Sequence, residues 1–213
     1  MNRIFIFSFL LLTNGILKAQ DSSRFCMNLR SIFKEGESGF NHFRQGDTPD
    51  TSGYGHRKFK VLPSLIANSD FLNGYVYLDE KLLHYKLYDY DELIPVKANQ
   101  LVLETKTLGT YTDSPVDSVL INRFLQYGGA IKSGCFPQLH VMQEEVKYDE
   151  SEGELIRYIF SEEDITASNS STGRDYSKCI GKPILILSLV NNQFGKFLYI
   201  KLVFEFPTID TRD

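Results

Sequence analysis

Residues 184–206 read ILILSLVNNQFGKFLYIKLVFEF, and this stretch decides the fold. From Ile184 to Val190 almost every residue is apolar, which is typical of a strand covered on both faces. From Lys196 to Phe206, every second residue is apolar, and the residues between them include both polar and apolar types. We expect the apolar set of this second strand to face the core: Leu198, Ile200, Leu202, Phe204 and Phe206. With Asn191–Gly195 as the turn, the stretch predicts an antiparallel hairpin at the centre of a sheet.

Six other segments have the same texture, with short runs of β-branched and aromatic residues between turn formers. The strands they predict are Lys58–Leu62, Gly74–Leu78, Leu82–Tyr90, Gln100–Thr107, Leu139–Tyr148 and Leu155–Ser161. Asp149–Gly153 is a turn sequence between the last two, which therefore form a second predicted hairpin.

Residues 22–45 predict the one clear amphipathic helix. Gly36 weakens a helix interior, so we expect a break near it, and Gly46 is a reasonable end. The apolar face follows spacings of three and four residues: Phe25, Leu29, Ile32 and Phe33, continued by Phe40 and Phe43. Cys26 lies close to this face, which favours a buried, structural thiol.

Residues 115–127 fit two structures. Val116, Leu120 and Phe124 recur every four residues, which predicts a helix that ends at Gly128–Gly129. A two-residue period also runs through this segment, so a strand is the alternative. We favour the helix because Ser114–Asp117 carries a helix-start signature.

Together these segments predict an α+β fold dominated by β-structure, with a mostly antiparallel sheet and the N-terminal amphipathic helix packed on it. We expect a single globular domain over residues 20–213. Residues 47–57 and 165–178 are predicted loops, and Ile165–Asp175 (ITASNSSTGRD) is polar with no core-forming residue.

Residues 1–19, MNRIFIFSFLLLTNGILKA, have the form of a secretory signal peptide. Arg3 is the early positive charge, and the apolar run Ile4–Leu12 is too short to span a bilayer. Ala19 is the small residue after which a peptidase would cut; a buried helix or a retained anchor is the alternative. We therefore predict a secreted or periplasmic protein.

Cleavage at this point leaves 194 of the 213 residues, with 21 basic side chains against 27 acidic ones. An acidic balance gives no general attraction for nucleic acid or anionic lipid. No later apolar run approaches ~18 residues, so we expect no membrane span after cleavage.

The three cysteines, Cys26, Cys135 and Cys179, are an odd number in an exported chain. They predict one disulfide and one free or intermolecular thiol, and all three pairings stay open.

Short catalytic motifs are missing from the sequence. It has no His-Glu-x-x-His, no Cys-x-x-Cys, no phosphate loop and no Gly-x-Ser-x-Gly elbow, and we name no catalytic, cofactor-binding or metal residue and no cofactor. A dyad of Cys135 and His140 is the remaining nucleophile candidate, and it lacks an orienting third residue. His42, His56 and His84 are better explained as surface or packing residues.

Two clusters of polar side chains have a structural and a functional interpretation. Nine carboxylates between Glu144 and Asp164 fit a calcium site, but a solvated sheet edge explains them more simply. The tyrosines of two adjacent strands fit either ordinary strand packing or a recognition surface: Tyr75, Tyr77, Tyr88 and Tyr90.

Residues 71–94, FLNGYVYLDEKLLHYKLYDYDELI, resemble a hairpin pattern of secreted β-rich proteins of Gram-negative bacteria that have no assigned activity. The residues that carry the resemblance are Gly74, Val76, Tyr85, Leu87, Tyr88, Asp89, Glu92 and Leu93. The resemblance implies successive antiparallel hairpins and export, and it implies no catalytic residue.

The sequence thus favours a binding or structural module of the periplasm or cell surface, whose partner is an unidentified envelope protein or a glycan. The alternative is a secreted hydrolase without a short motif. An enzyme needs a pocket where titratable groups converge, whereas a binding module needs only an exposed apolar or aromatic surface.

Overall fold

The described residues form nine strands in the computed structural model, and most of these strands are segments that alternate or run apolar in the sequence. The strands are β1 Arg57–Lys60, β2 Phe71–Lys81, β3 Leu87–Asp89, β4 Glu92–Ile94, β5 Val96–Thr105, β6 His140–Glu145, β7 Gly153–Ser161, β8 Ile184–Asn192 and β9 Phe197–Ile209. Seven of them form one sheet in the order β1-β2-β5-β9-β8-β7-β6, and β3 and β4 form a separate pair. Every pairing is antiparallel.

The structure describes residues 23–49, 57–66, 70–81, 87–89, 92–105, 118–145, 153–165, 176–192 and 197–211. The predicted signal peptide of residues 1–19 lies outside these ranges, as do residues 50–56 and 166–175 of the two predicted loops. No helix of the described ranges is long and apolar enough to cross a membrane.

The predicted hairpin of residues 184–206 lies at the centre of the sheet, since β9 is the fourth of seven strands and pairs with β8. Each of the other predicted strands overlaps an observed one. Several details were not predicted. They are β4, the start of β5 at Val96, four residues before the expected Gln100, the length of β2, which extends three residues beyond each predicted end, and the continuation of β9 to Ile209.

The first face of the sheet carries the main core. Leu198, Ile200, Leu202 and Phe204 of β9 are buried there, as their alternation predicts, whereas Phe206 is only half-buried. The register sets buried residues of the neighbouring strands beside them: Leu101 and Leu103 of β5, and Leu185, Leu187 and Leu189 of β8.

The second face has an apolar corner and a polar row. The corner is a second core cluster that contains Met142, Ile159, Ile165, Cys179 and Ile184. The predicted absence of core-forming residues from 165–175 is therefore wrong at Ile165. Met142 and Ile159 are cross-strand neighbours whose apolar surface needs a cover, and Ile165 lies buried against that cluster.

The polar row crosses the middle of the second face. Lys201 of β9 lies opposite Glu104 of β5 on one side and opposite Ser188 of β8 on the other, and Ser188 lies opposite Arg157 of β7. Ser188 is fully buried, and its hydroxyl has no hydrogen-bond partner among the described residues.

Three α-helices lie within the described part of the chain: α1, residues 23–34; α2, Pro63–Ile66; and α3, Ser118–Ala130. The helix favoured for residues 115–127 is confirmed from Ser118 onward. Gly128–Gly129 does not end it, because the chain continues as a π-helix over Ile131–Cys135. A Cβ at Gly128 would lie 2.9 Å from the ring of Tyr158, so this glycine permits close packing on β7.

The predicted helix of residues 22–45 is shorter than expected. It ends at residue 34, and the break near Gly36 is confirmed. Left-handed backbone at Gly39 and Phe40 then reverses the chain before a short 3-10 helix, Asn41–Phe43. The packing of the whole N-terminal helix on the sheet stays a prediction, because its start lies outside the described residues.

The described part of α1 is tied to the end of the π-helix that follows α3. Cys26 and Cys135 form a disulfide. The rings of Phe33 and Phe136 lie 4.8 Å apart, centroid to centroid. Leu29 of α1 is buried in the main core cluster.

Candidate ligand-binding cleft

An open cleft of about 830 Å³ lies at one end of the sheet. Its apolar lining consists of Phe33, Phe136, Pro137, Pro183 and Phe206. The charged residues are Arg30, Lys34, Glu37 and Glu162, and the remaining lining residues are Gln138, Gly181 and Thr208. A concave surface of this size that combines apolar and polar groups can hold a small ligand.

Helical periodicity builds one wall of the cleft. Arg30, Phe33 and Lys34 are separated by three and four residues in α1 and therefore share one face of that helix. Glu37 lies one turn further on, after the helix has ended. The wall thus presents an aromatic ring between charged side chains.

Phe206 forms the floor from the sheet side. It is the last residue of the alternating apolar set of β9, and the cleft explains why it is half-buried while Phe204 is only 1% exposed. The backbone of Gly36 comes so close that a Cβ there would lie 2.8 Å from Phe206 Cβ. Asn99 Nδ2 of β5 donates a hydrogen bond to the Gly36 carbonyl, N···O 3.2 Å, and so holds this turn in place.

Arg30 is fixed at the other end of the wall. Its Nε donates to the carbonyl oxygen of Cys135 at 2.7 Å, and its Nη2 donates to that of Gly134 at 3.0 Å. The Cys26–Cys135 disulfide joins the same two segments. This wall is therefore preorganised, because its position does not depend on a ligand.

The charged side chains of the cleft are not neutralised by one another. Within the described residues, none of Arg30, Lys34, Glu37 and Glu162 forms an ion pair. The cleft therefore offers charge of both signs beside an apolar floor, with both cations on α1.

The cysteines do not form the predicted dyad. Cys135 is buried in the disulfide with Cys26, so its sulfur is not available as a thiolate nucleophile and the Cys135–His140 hypothesis is wrong. One disulfide and one free thiol are confirmed, and Cys179 is the free one, buried in the second core cluster.

His140 belongs to a different, small cavity of about 160 Å³, which Ser161 and Asp164 also line. These residue types resemble a hydrolytic triad, but Ser161 is 2% exposed and its hydroxyl donates to the carbonyl oxygen of Glu163 at 2.6 Å. A buried hydroxyl that is already donating to a backbone carbonyl is poorly placed to attack a substrate.

Of the other histidines, the structure describes only His42. His42 is exposed, as predicted, and its Nδ1 lies 2.9 Å from Glu35 Oε1. The hydrogen bonds from His42 and Ser38 lower the pKa of Glu35. His56 and His84 lie outside the described residues.

Of the four tyrosines proposed as a recognition surface, the structure describes the side chains of Tyr75 and Tyr77. Both are half-buried on the second face, and the Lys58 ammonium lies 3.7 Å from the ring centroid of Tyr75 and 5.5 Å from that of Tyr77. Burial raises the pKa of Tyr77. Lys58 already contacts both rings, so less of their surface is open to a partner than the sequence suggests.

The acidic segment is described only in part. Glu163 forms an ion pair with Lys182, which lowers the pKa of Glu163 and raises that of Lys182. In the described ranges, no three potential metal ligands lie close enough together to hold an ion.

No protein-family model, curated protein or solved structure matches this chain. The cleft therefore has to be interpreted from its own geometry. Sequence reasoning missed it, although two signals were present: a cation-aromatic-cation face on the N-terminal helix, and a phenylalanine that ends the apolar alternation of β9.

Proposed function

We propose that this chain is an exported binding module and that the cleft between α1 and the end of β9 is its ligand site. The observation that carries the proposal is an open apolar floor in a cavity of about 830 Å³, beside charged groups without ion pairs in the described residues. Apolar surface exposed to water is energetically unfavourable. Such surface beside a few convergent polar groups is common at sites that a ligand covers.

Export is part of the proposal. The signal-like residues 1–19, cleaved after Ala19, would carry the chain to the periplasm, the cell surface or the medium. The Cys26–Cys135 disulfide supports this destination, because such bonds persist in oxidising compartments. The resemblance of residues 71–94 to secreted proteins points to the same place.

The N-terminal helix has a role in this proposal. If α1 packs on the sheet over its whole length, the face of α1 that carries Arg30, Phe33 and Lys34 forms one wall of a site whose floor belongs to β9. An envelope protein or a glycan is the expected partner. A hydrolase without a short motif stays the alternative, and Glu37 and Glu162 are the carboxylates that the cleft would offer it.

The proposal can be tested by nuclear magnetic resonance on the exported protein with a library of small aromatic and charged fragments. We expect saturable shifts in the backbone amides of Lys34, Gln138 and Thr208. Phe206→Ala is expected to abolish them, and Tyr75→Ala, a matched truncation on the other face, to leave them unchanged. Shifts confined to Tyr75 and its neighbours, or no saturable shift, would refute the proposal.

A further inference from the structure

We propose that the ligand of the cleft is a peptide segment in which an acidic group lies next to an apolar side chain. This inference rests on the proposed function and adds the chemical class of the ligand. The distribution of charge and apolar surface in the cleft carries it.

The apolar part of the cleft is made of aromatic rings that meet at an angle. Phe33 and Phe136 are inclined at 45°, and both are buried at the base of the wall, while Phe206 remains half-exposed on the floor. Rings in this arrangement form a notch for one apolar side chain and offer no broad flat platform. Burying such a side chain removes apolar surface of both partners from water.

The cationic part adjoins this notch. Arg30 and Lys34 flank Phe33 on α1. Two donors of Arg30 are used by the carbonyl oxygens of Gly134 and Cys135, which leaves the N–H groups of Nη1 without a partner among the described residues. A guanidinium held in this way loses little freedom when it binds a carboxylate.

Glu37 and Glu162 give the cleft two carboxylates, both outside α1. A ligand that pairs with both the cations and the carboxylates of the cleft must carry an acidic group for the cations. For the carboxylates it must carry either a basic group or backbone N–H groups that donate hydrogen bonds to them. A peptide segment has these groups at fixed spacing. A neutral glycan has no charge to offer to these side chains.

The experiment uses the exported protein and four fluorescein-labelled probes measured by anisotropy at low salt. Three are hexapeptide pools rich in Leu and Phe that contain Asp and Glu, Lys and Arg, or no charge. The fourth is a neutral hexasaccharide. We expect the acidic pool to bind most tightly, and Lys34→Gln to weaken it by about fivefold, the effect of losing one exposed ion pair.

Lys132→Gln is the matched control, because Lys132 is exposed on the π-helix and does not line the cleft. It should leave the affinity for the acidic pool unchanged, and Lys34→Arg should retain it. The preference should also shrink as salt is raised.

Each other outcome overturns the inference. If the three peptide pools bind with equal affinity and Phe206→Ala abolishes this binding, the ligand does not need an acidic group. The cleft would then still be the binding site. Binding of the hexasaccharide alone would replace the peptide by a glycan at the same site. If no probe binds, the peptide inference fails, and the fragment experiment decides separately whether the cleft binds anything.

Discussion

Reduction of the Cys26–Cys135 disulfide is expected to cost several kcal/mol of folding free energy. The two residues are 109 positions apart in the chain. Closing a loop of that length in the unfolded chain corresponds to about 4.8 kcal/mol at 25 °C in the chain-entropy relation. Measured losses for native disulfides are ~2–5 kcal/mol, so we expect ~3–5 kcal/mol here.

The measurement is urea unfolding of one protein in its oxidised and reduced forms, followed by circular dichroism. Comparing the two forms avoids any cavity that a substitution would leave at Cys135, which is fully buried. The unfolding free energy of the reduced form should also fall more steeply with urea concentration, because the unfolded chain exposes more surface once the loop is opened.

Cys179→Ala provides the background for both forms, since it removes the free thiol that would otherwise exchange with the disulfide. A difference below ~1 kcal/mol between the two forms would refute the reasoning. It would mean that the unfolded chain keeps the ends of the loop together without the bond, or that the pairing is different.

Three further predictions concern single side chains. Ser188→Ala should raise the free energy of unfolding by about 1 kcal/mol, because it deletes a buried hydroxyl that has no partner among the described residues. Ser161→Ala should lower the free energy of unfolding by about as much, because it deletes a buried hydrogen bond. Urea unfolding of both variants tests this pair, and equal effects of the two substitutions would contradict it. Gly36→Ala should displace Phe206 and weaken fragment binding in the cleft, and unchanged amide shifts of Thr208 would show that the contact is not tight. The pKa of Glu35 is lower in the folded state than in the unfolded state, so its pairing stabilises the fold above the unfolded pKa and is lost as the pH falls through the folded pKa. The difference in unfolding free energy between the parent and Glu35→Gln should therefore close as the pH falls below the ordinary range of a glutamate pKa, and a difference that stays constant would argue against the pairing.

Much of the sheet could be predicted from the sequence, because alternation along a strand reports directly which side is buried. The hairpin of residues 184–206 is the clearest case, and its central position followed from an unusually apolar first strand. Elements that depend on contacts between distant segments were not predictable in this way. Gly128 looks like a helix end, and only its contact with Tyr158 shows why the helix passes through it.

The candidate site was missed for the same reason. Arg30 and Phe206 are far apart in the sequence, and no local pattern indicates that they line one cleft. The disulfide pairing also depends on the folded path of the chain, which brings Cys26 of α1 to the end of the π-helix. Ile165 could not be recognised as a core residue, because its neighbours in sequence are polar and its apolar partners lie in other strands.

The position of β9 has a consequence for how the sheet forms. In the described sheet, β9 is the only link between two three-stranded halves, β1-β2-β5 and β8-β7-β6. Neither half acquires its central neighbour until β9 has paired with β5 on one side and with β8 on the other. Pairing of β9 with β5 also joins residues about a hundred positions apart, such as Leu202 and Leu103, which makes folding slow. The sheet becomes continuous only when β9 pairs on both sides, so the loss of this one strand would leave two separate three-stranded pieces.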